Sequence, residues 1–192
     1  NSTELVFRYT IQATNTSGEN DDNGISIGAN ALNSDNITIR DAAGNIATDL
    51  THSAVPDNSS VKVDTIPPSV DNFTISDTEF KIGDTATVTL EFSEEVCTVS
   101  SDCSAIVFSS DDDITIPNLD SGPRTGIASG TLTTMTSDDN ETWRGTFTPA
   151  TNAEDNSSRL SLGTGYTDLA GNNGPDNQTE NYEIDTLAPT VS

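Results

Sequence analysis

Residues 85–92, TATVTLEF, alternate between polar and apolar side chains over their whole length. Successive side chains of a β-strand point to opposite faces, so this pattern gives a strand with one apolar face and one polar face. A face of that kind has to be buried against a second layer. The sequence therefore predicts a half-buried strand in a layered β-fold. The predicted inward-facing residues are Ala86, Val88, Leu90 and Phe92.

Other segments follow the same period. Residues 5–12, LVFRYTIQ, would place Phe7, Tyr9 and Ile11 on one face. Residues 143–148, WRGTFT, would do the same with two aromatic side chains, and we expect Trp143 in the core. Apolar stripes of helical period are absent, and clusters of Gly, Asn and Asp separate the short strands. This organisation predicts an all-β sandwich.

The charge balance limits the partners of such a fold. The chain has 31 acidic and 7 basic residues, a net charge of -24, and only 40 Leu, Ile, Val and Phe residues among 192. Like charges repel on compaction, so bound cations are the natural compensation. Nucleic acid and anionic membranes need a basic face, and no apolar run reaches the length of a membrane span. We therefore expect neither nucleic-acid binding nor membrane insertion.

Three phrases occur twice in the chain. The spacing of about 120 to 140 residues corresponds to a whole sandwich domain rather than to a short repeat unit. The pairs are KVDTIPPSV (62–70) with EIDTLAPTV (183–191), RDAAGN (40–45) with TDLAGN (167–172), and ISIG (25–28) with LSLG (160–163). Each copy would end on its DT-x-x-P phrase, in which prolines stiffen the link.

The repeats predict tandem β-sandwiches, the first copy incomplete. Residues 1–65 would be the C-terminal part of one domain and 66–187 a complete domain. Residues 188–192 would begin a following strand or linker. We expect the absent strands to come from a longer parent chain or from another subunit.

Several of these segments resemble a known family. DNFTISDTEFKIGDTATVTLEFSEEV, GTLTTMTSDDNETWRGTFTPATNAEDNSSRLSLGTGYTDLAGNNGP and NYEIDTLAPTV are similar to the bacterial immunoglobulin-like repeats of giant extracellular adhesins of the RTX-type or non-fimbrial kind. FRYTIQA, ITIRDAAGN and KVDTIPP resemble the back half of a sister repeat. The insert from Cys97 to about Gly126 is longer and more polar than that family implies.

The resemblance implies that the fold is all-β, with tandem immunoglobulin-like β-sandwiches of which the first copy is incomplete, and that the role is in cell adhesion. Such repeats form extracellular stalks, often stiffened by Ca²⁺, on the cell surface or in secreted proteins. The implied partners are neighbouring immunoglobulin-like domains or identical subunits, and a cell-surface or glycan target would be bound through other parts of the parent protein.

The segment ENDDNG (19–24) has the alternating oxygen ligands and the glycine of a short calcium loop. Alternate ligands let a short loop curl around one hard cation. The alternative is a solvated Asn-Gly turn. The candidate ligands are Glu19, Asp21, Asp22 and Asn23.

Further acidic residues would meet at domain ends, where an immunoglobulin-like sandwich places its loops. Asp64, Asp168 and Asn172 are predicted to share a cation across the link. Asp41 and Asn45 are their equivalents in the first copy, and Asp185, with Glu154 and Asp155, would serve a following domain. The alternative is that the Asp of each D-x-A-G-N phrase caps its own turn.

Cys97 and Cys103 are close enough to close a small loop through a disulfide, the alternative being two free thiols. The sequence also contains potential N-glycosylation sites. The N-x-S/T sequons are at Asn1, Asn15, Asn36, Asn58, Asn72, Asn140, Asn156 and Asn177.

Catalysis has little support in the sequence. His52 is the single histidine, and Asp138 and Asp139 are expected in a solvated turn. We therefore predict a non-enzymatic stalk segment. The alternatives are a filament subunit assembled by strand donation, an accessory domain of a secreted enzyme, and a binding module that uses residues 104–126.

Overall fold

The computed structural model of the protein describes residues 6, 8, 10–11, 20–21, 24–32, 38–97, 108–110 and 113–191. These residues form strands, turns and irregular segments without any helix, which confirms the all-β prediction. The chain divides into two compact units, Asn1–Ile66 and Pro67–Ser192. Over the same ranges, no helix is long and apolar enough to cross a membrane.

Among its described residues, the first unit contains two antiparallel strand pairs. Its strands are Asn20–Asp21 (β1), Ile25–Ile27 (β2), Val55–Asn58 (β3) and Val63–Asp64 (β4). β1 pairs with β4, and β2 pairs with β3. Val63 is buried, whereas Ile27 and Val55 on the β2–β3 pair are about half exposed, at 49% and 50%. The described part of this unit thus has regular pairing but little buried apolar surface.

The predicted strand at residues 5–12 falls largely outside the described residues. Phe7 and Tyr9, which would face inward, are not described. Ile11, predicted to face inward with them, is 46% exposed.

The second unit contains twelve strands among its described residues, arranged in several sheets. They are Val70–Ile75 (β5), Glu79–Lys81 (β6), Ala86–Phe92 (β7), Val96–Cys97 (β8), Ile114–Thr115 (β9), Gly130–Leu132 (β10), Thr142–Pro149 (β11), Glu154–Ser158 (β12), Ser161–Leu162 (β13), Thr167–Asp168 (β14), Asn177–Gln178 (β15) and Tyr182–Asp185 (β16).

Two sheets of this unit face each other. One has the order β10-β11-β7-β5 and the other β12-β16-β6, in which β16 and β6 run parallel. Phe147 on the first sheet contacts Phe80 and Tyr182 on the second, with ring centroids 5.4 and 5.2 Å apart. Aromatic side chains from both sheets therefore form one core, as in a β-sandwich. Two smaller groups, β15-β13-β9 and β14-β8, extend the β-structure.

The alternation in β7 and β11 is confirmed. In β7 the residues at the four predicted inward positions are buried, between 0% and 3% exposed. In β11, Trp143 and Phe147 are 1% and 0% exposed. Trp143 lies opposite Leu90 in the strand register, so the inward faces of the two strands meet side by side.

We expect Leu90→Ala to lower the free energy of unfolding of the second unit by about 2 to 5 kcal/mol, because it leaves a cavity under two packed sheets. The side chain of Leu90 is 0% exposed. Urea unfolding monitored by the fluorescence of Trp143 measures the change. The matched control is Leu169→Ala, since Leu169 is 63% exposed and a surface substitution of this kind changes stability by about 0.5 kcal/mol or less. Equal losses in the two variants would contradict the assigned core.

Candidate metal-binding loops

The D-x-A-G-N loop of the second unit is organised by the carboxylate of Asp168. The backbone N–H groups of Ala170 and Asn172 donate to Asp168 Oδ1, at 2.8 and 2.9 Å. The side-chain amide of Asn172 donates to Oδ2 at 2.7 Å. The backbone of Asp168 closes the loop by donating to the carbonyl of Asn172.

The first unit repeats this arrangement. Ala43 and Asn45 donate their backbone N–H groups to Asp41 Oδ1, at 2.9 and 2.8 Å, and the Asn45 side chain donates to Oδ2 at 2.8 Å. Gly44 and Gly171 occupy the same position in the two loops and have the same φ of 94°, which favours glycine. The similarity of RDAAGN and TDLAGN thus extends to individual hydrogen bonds.

Each aspartate therefore caps its own turn, which was the alternative to metal binding. The two roles are compatible. An ionised carboxylate has about four lone-pair sites, and the loop of Asp168 uses three in the hydrogen bonds above. Capping the turn and binding a cation are therefore not mutually exclusive for this carboxylate.

Hydrogen bonding also favours the ionised form of the carboxylate in the first loop. The side chain of Asn45, followed by the backbone N–H of Asn45, lowers the pKa of Asp41 below its ordinary value. Asp41 is accordingly an anion at neutral pH.

A second carboxylate lies beside Asp168. One oxygen of Glu94 is within 4.8 Å of an oxygen of Asp168. Glu94 lies in the turn between β7 and β8, and β8 pairs with β14 so that Val96 is opposite Asp168. Glu94 was not predicted as a candidate ligand, because the phrase SEEV does not reveal which strand β8 pairs with.

Part of the ENDDNG segment is described. Asp21 Oδ1 accepts the backbone N–H of Gly24 at 3.0 Å. A Cβ on Gly24 would lie 2.0 Å from the carbonyl oxygen of Asn58, so the turn requires glycine there. The other candidate ligands, Glu19, Asp22 and Asn23, lie outside the described residues.

Asp64 is the last residue of β4, opposite Asn20 on β1. Its Oδ1 accepts the backbone N–H of Ile66 at 3.0 Å. Asp64 is thus on the strand that pairs with the start of the ENDDNG segment. The sharing of one cation by Asp64, Asp168 and Asn172 stays a prediction.

The third predicted group consists of Glu154, Asp155 and Asp185. Because successive side chains of a strand point to opposite faces, these residues do not all lie on the same face. Glu154 and Asp185 are directly opposite each other on β12 and β16, and both are exposed. Asp155 is 2% exposed and accepts hydrogen bonds from the Ser157 N–H and the Ser158 hydroxyl, at 3.2 and 2.9 Å. The side chain of Asp155 raises the pKa of Asp120, because it accepts a hydrogen bond from the protonated form of Asp120 and its negative charge disfavours the ionised form.

Cys97 is 2% exposed and carries no free thiol. Cys103 lies outside the described residues, so their pairing stays a prediction. The sequons of Asn58 and Asn156 are exposed, and those at Asn72, Asn140 and Asn177 are partly buried. Asn1, Asn15 and Asn36 are not described. Asp139 accepts the N–H groups of Glu141 and Thr142, as in the predicted turn.

The sandwich and its Asp-capped loop define an immunoglobulin-like module. In agreement, the family model of the bacterial Ig-like domain matches residues 123–184, which include β11 and the whole Asp168 loop. Neither the curated proteins nor the solved structures include a match to the chain. The resemblance to bacterial immunoglobulin-like domains is thus confirmed over that range. Domains of this class commonly occur in extracellular or surface proteins and are generally non-enzymatic.

We expect Asn45→Ala to raise the pKa of Asp41, because it removes the hydrogen bond with the largest effect on that carboxylate. A lowered folded-state pKa stabilises the loop above the unfolded value of about 3.9, and this stabilisation is lost as the pH falls through the folded value. An acid titration followed by carboxyl NMR signals measures the pKa of Asp41 in the wild type and in the variant. Asp139 is the internal control, since backbone N–H groups of Thr142 and Glu141 lower its pKa. A parallel rise at Asp139 would contradict the local explanation.

Proposed function

We propose that the chain is a segment of an extracellular stalk of a cell-surface adhesin, made of tandem immunoglobulin-like repeats that calcium stiffens. The observation that supports it most is the pair of carboxylates at Asp168 and Glu94, whose oxygens lie within 4.8 Å on a fold that matches bacterial Ig-like domains. The role is mechanical: to extend and to space.

The residues around Asp168 fit a calcium ion. Calcium takes oxygen ligands at about 2.3 to 2.6 Å, so two oxygens up to about 5 Å apart can bind one ion. Asp168 is 2% exposed, held by its own loop, and Glu94 is partly buried. Calcium bound there would join the loop after β14 to the turn after β7, and it would offset two negative charges in a partly dry setting.

The acidic surface gives a second reason for cation binding. Like charges directly opposite on adjacent strands destabilise a sheet. Glu154 faces Asp185 in this way, and Glu183 faces Glu79. A divalent ion lowers this repulsion more than side-chain rearrangement can, because the strand register fixes the backbone positions of both residues in each pair.

The stretch that contains the boundary of the two units, residues 65–69, is suited to a stalk. No strand occurs between Asp64 and Val70. Pro67 and Pro68 lie within this segment and restrict its φ angles. Proline-containing linkers are extended and act as semi-rigid spacers.

Two further features belong to the same proposal. A Cys97–Cys103 disulfide would persist in an oxidising, extracellular setting. Glycans would attach at the exposed sequons of Asn58 and Asn156, if the source cell glycosylates asparagine.

We expect calcium to raise the melting temperature of the protein and a chelator to lower it. Extracellular modules bind calcium with dissociation constants of about 0.1 to 1 mM. At 1 mM calcium and a dissociation constant of about 0.1 mM, each site adds about 1.4 kcal/mol to the free energy of unfolding. Melting of the second unit should therefore rise by about 2 to 8 °C per site. Differential scanning calorimetry and small-angle scattering measure stability and maximum dimension together.

Magnesium at the same concentration and the variant Asp168→Ala are the controls. Magnesium should have a smaller effect, since it keeps its water ligands and demands regular octahedral geometry. An unchanged melt and an unchanged maximum dimension after chelation would show that calcium does not stiffen this chain.

A further inference from the structure

We propose that Tyr166 is a positioning residue for the Asp168 loop, holding its two ends together so that Asp168 and Asn172 are pre-arranged for calcium. This inference rests on the proposed function and names a residue outside the ligand set that would determine calcium affinity.

Tyr166 closes the loop with two separate contacts. Its hydroxyl donates to the carbonyl oxygen of Pro175 at 2.8 Å. Its own backbone carbonyl accepts the N–H of Gly174 at 3.1 Å. The residues between these contacts include Asp168 and Asn172. One residue thus fixes the strand that enters the loop against the chain that leaves it.

Gly174 is what allows the ring to lie so close. A Cβ at this position would be 2.0 to 2.5 Å from Cε2, Cζ and the hydroxyl oxygen of Tyr166, so any other residue would force the tyrosine side chain to move. The other side of the ring is held by the core, with Phe92 and Phe108 at centroid distances of 4.9 and 5.8 Å. The ring is therefore clamped between the core and the loop.

The hydroxyl of Tyr166 is shielded from solvent. The Tyr166 side chain is 0% exposed, so water does not compete for the bond to Pro175.

We call the hydroxyl bond of Tyr166 to Pro175, together with the close packing of its ring on Gly174, the clasp. The first unit shows what the loop is like without the clasp. Ile39 occupies the position of Tyr166, and Ala47 occupies that of Gly174. The backbone bond is conserved in kind, because Ala47 donates its N–H to the carbonyl of Ile39 at 2.9 Å. The Asp41 loop keeps the same internal hydrogen bonds as the Asp168 loop. The tyrosine and the glycine are thus a paired addition that the D-x-A-G-N turn itself does not need.

The Tyr166–Gly174 pair occurs in the Asp168 loop, which has the second carboxylate, that of Glu94, beside it. Bringing the ionised oxygens of Asp168 and Glu94 close together is unfavourable before calcium binds, and a loose loop would relax away from that geometry. A loop held in place binds more tightly, because the ordering cost is met on folding rather than on binding. The clasp therefore has a physical role in affinity that a simple core tyrosine would lack.

The experiment is a calcium titration of the whole chain followed by amide signals in two-dimensional NMR. The signals of Ala170, Gly171 and Asn172 report the second loop. In Tyr166→Phe we expect their midpoint to move to about threefold to tenfold higher calcium, the effect of one lost hydrogen bond. The ring and its packing are retained, so the variant should fold. The signals of the first loop (Ala43, Gly44 and Asn45) serve as a reference in the same sample and should be unchanged.

Tyr182→Phe is the matched control variant. Tyr182 is also 0% exposed, and its hydroxyl is 2.9 Å from the hydroxyl of Ser129. Losing that bond should lower stability in urea to a similar degree as Tyr166→Phe. It should leave the calcium midpoint of Gly171 at the wild-type value.

The outcomes separate the inference from the function beneath it. If Gly171 responds to calcium in the wild type and Tyr166→Phe has the same midpoint, the positioning role is wrong and the proposed function stands. An equal shift in Tyr182→Phe also overturns it, because general stability would then explain the effect. If the wild-type loop does not respond to calcium, the proposed function is wrong at this loop and the inference falls with it.

Discussion

The structure of the second unit depends on aromatic packing between two sheets. Phe147 and Trp143 on one strand of the first sheet occupy two parts of the core. Phe147 contacts Phe80 and Tyr182, while Trp143 contacts Phe108 at a centroid distance of 5.1 Å. Large rings bury much apolar surface per residue, which suits a chain with few aliphatic side chains. Packing of this kind keeps the sheets fixed while the surface remains strongly acidic.

The same packing determines where the acidic loops can be ordered. Tyr166 belongs to the core through Phe92 and to the Asp168 loop through Pro175. The loop is therefore ordered by the core rather than by its polar contacts alone. In the first unit Ile39 cannot make the equivalent hydroxyl bond, and the Asp41 loop is exposed throughout. One turn motif thus occurs in two settings, one packed against a core tyrosine and one exposed.

The sequence predicted those features that depend on local patterns. The alternation of TATVTLEF predicted the buried face of β7, and the D-x-A-G-N repeat predicted two loops of one kind. Glu94 was not predicted, because its position depends on the pairing of Val96 with Asp168, which are far apart in the chain. The contacts of Tyr166 with the loop were also not predicted. The sequence did contain an indication of them, a tyrosine two residues before the D-x-A-G-N phrase and a glycine two residues after it. Periodicity reveals which face of a strand is buried but not which distant segment covers it.

The acidic sheet face is subject to two kinds of repulsion. One acts between directly opposed cross-strand neighbours, and the other acts between the distant charges of the whole surface. Asp185 has Glu154 on one side and Lys81 on the other, whereas Glu183 lies directly opposite Glu79. Monovalent salt screens charges over about 8 Å at physiological ionic strength, so it weakens distant repulsion more than repulsion between cross-strand neighbours about 5 Å apart. Screening therefore lowers the general cost of a charge of -24 but leaves much of the cost of these close pairs. An ion bound directly between carboxylates removes that local cost, which is why a specific divalent cation and ionic strength have different consequences for a surface of this kind.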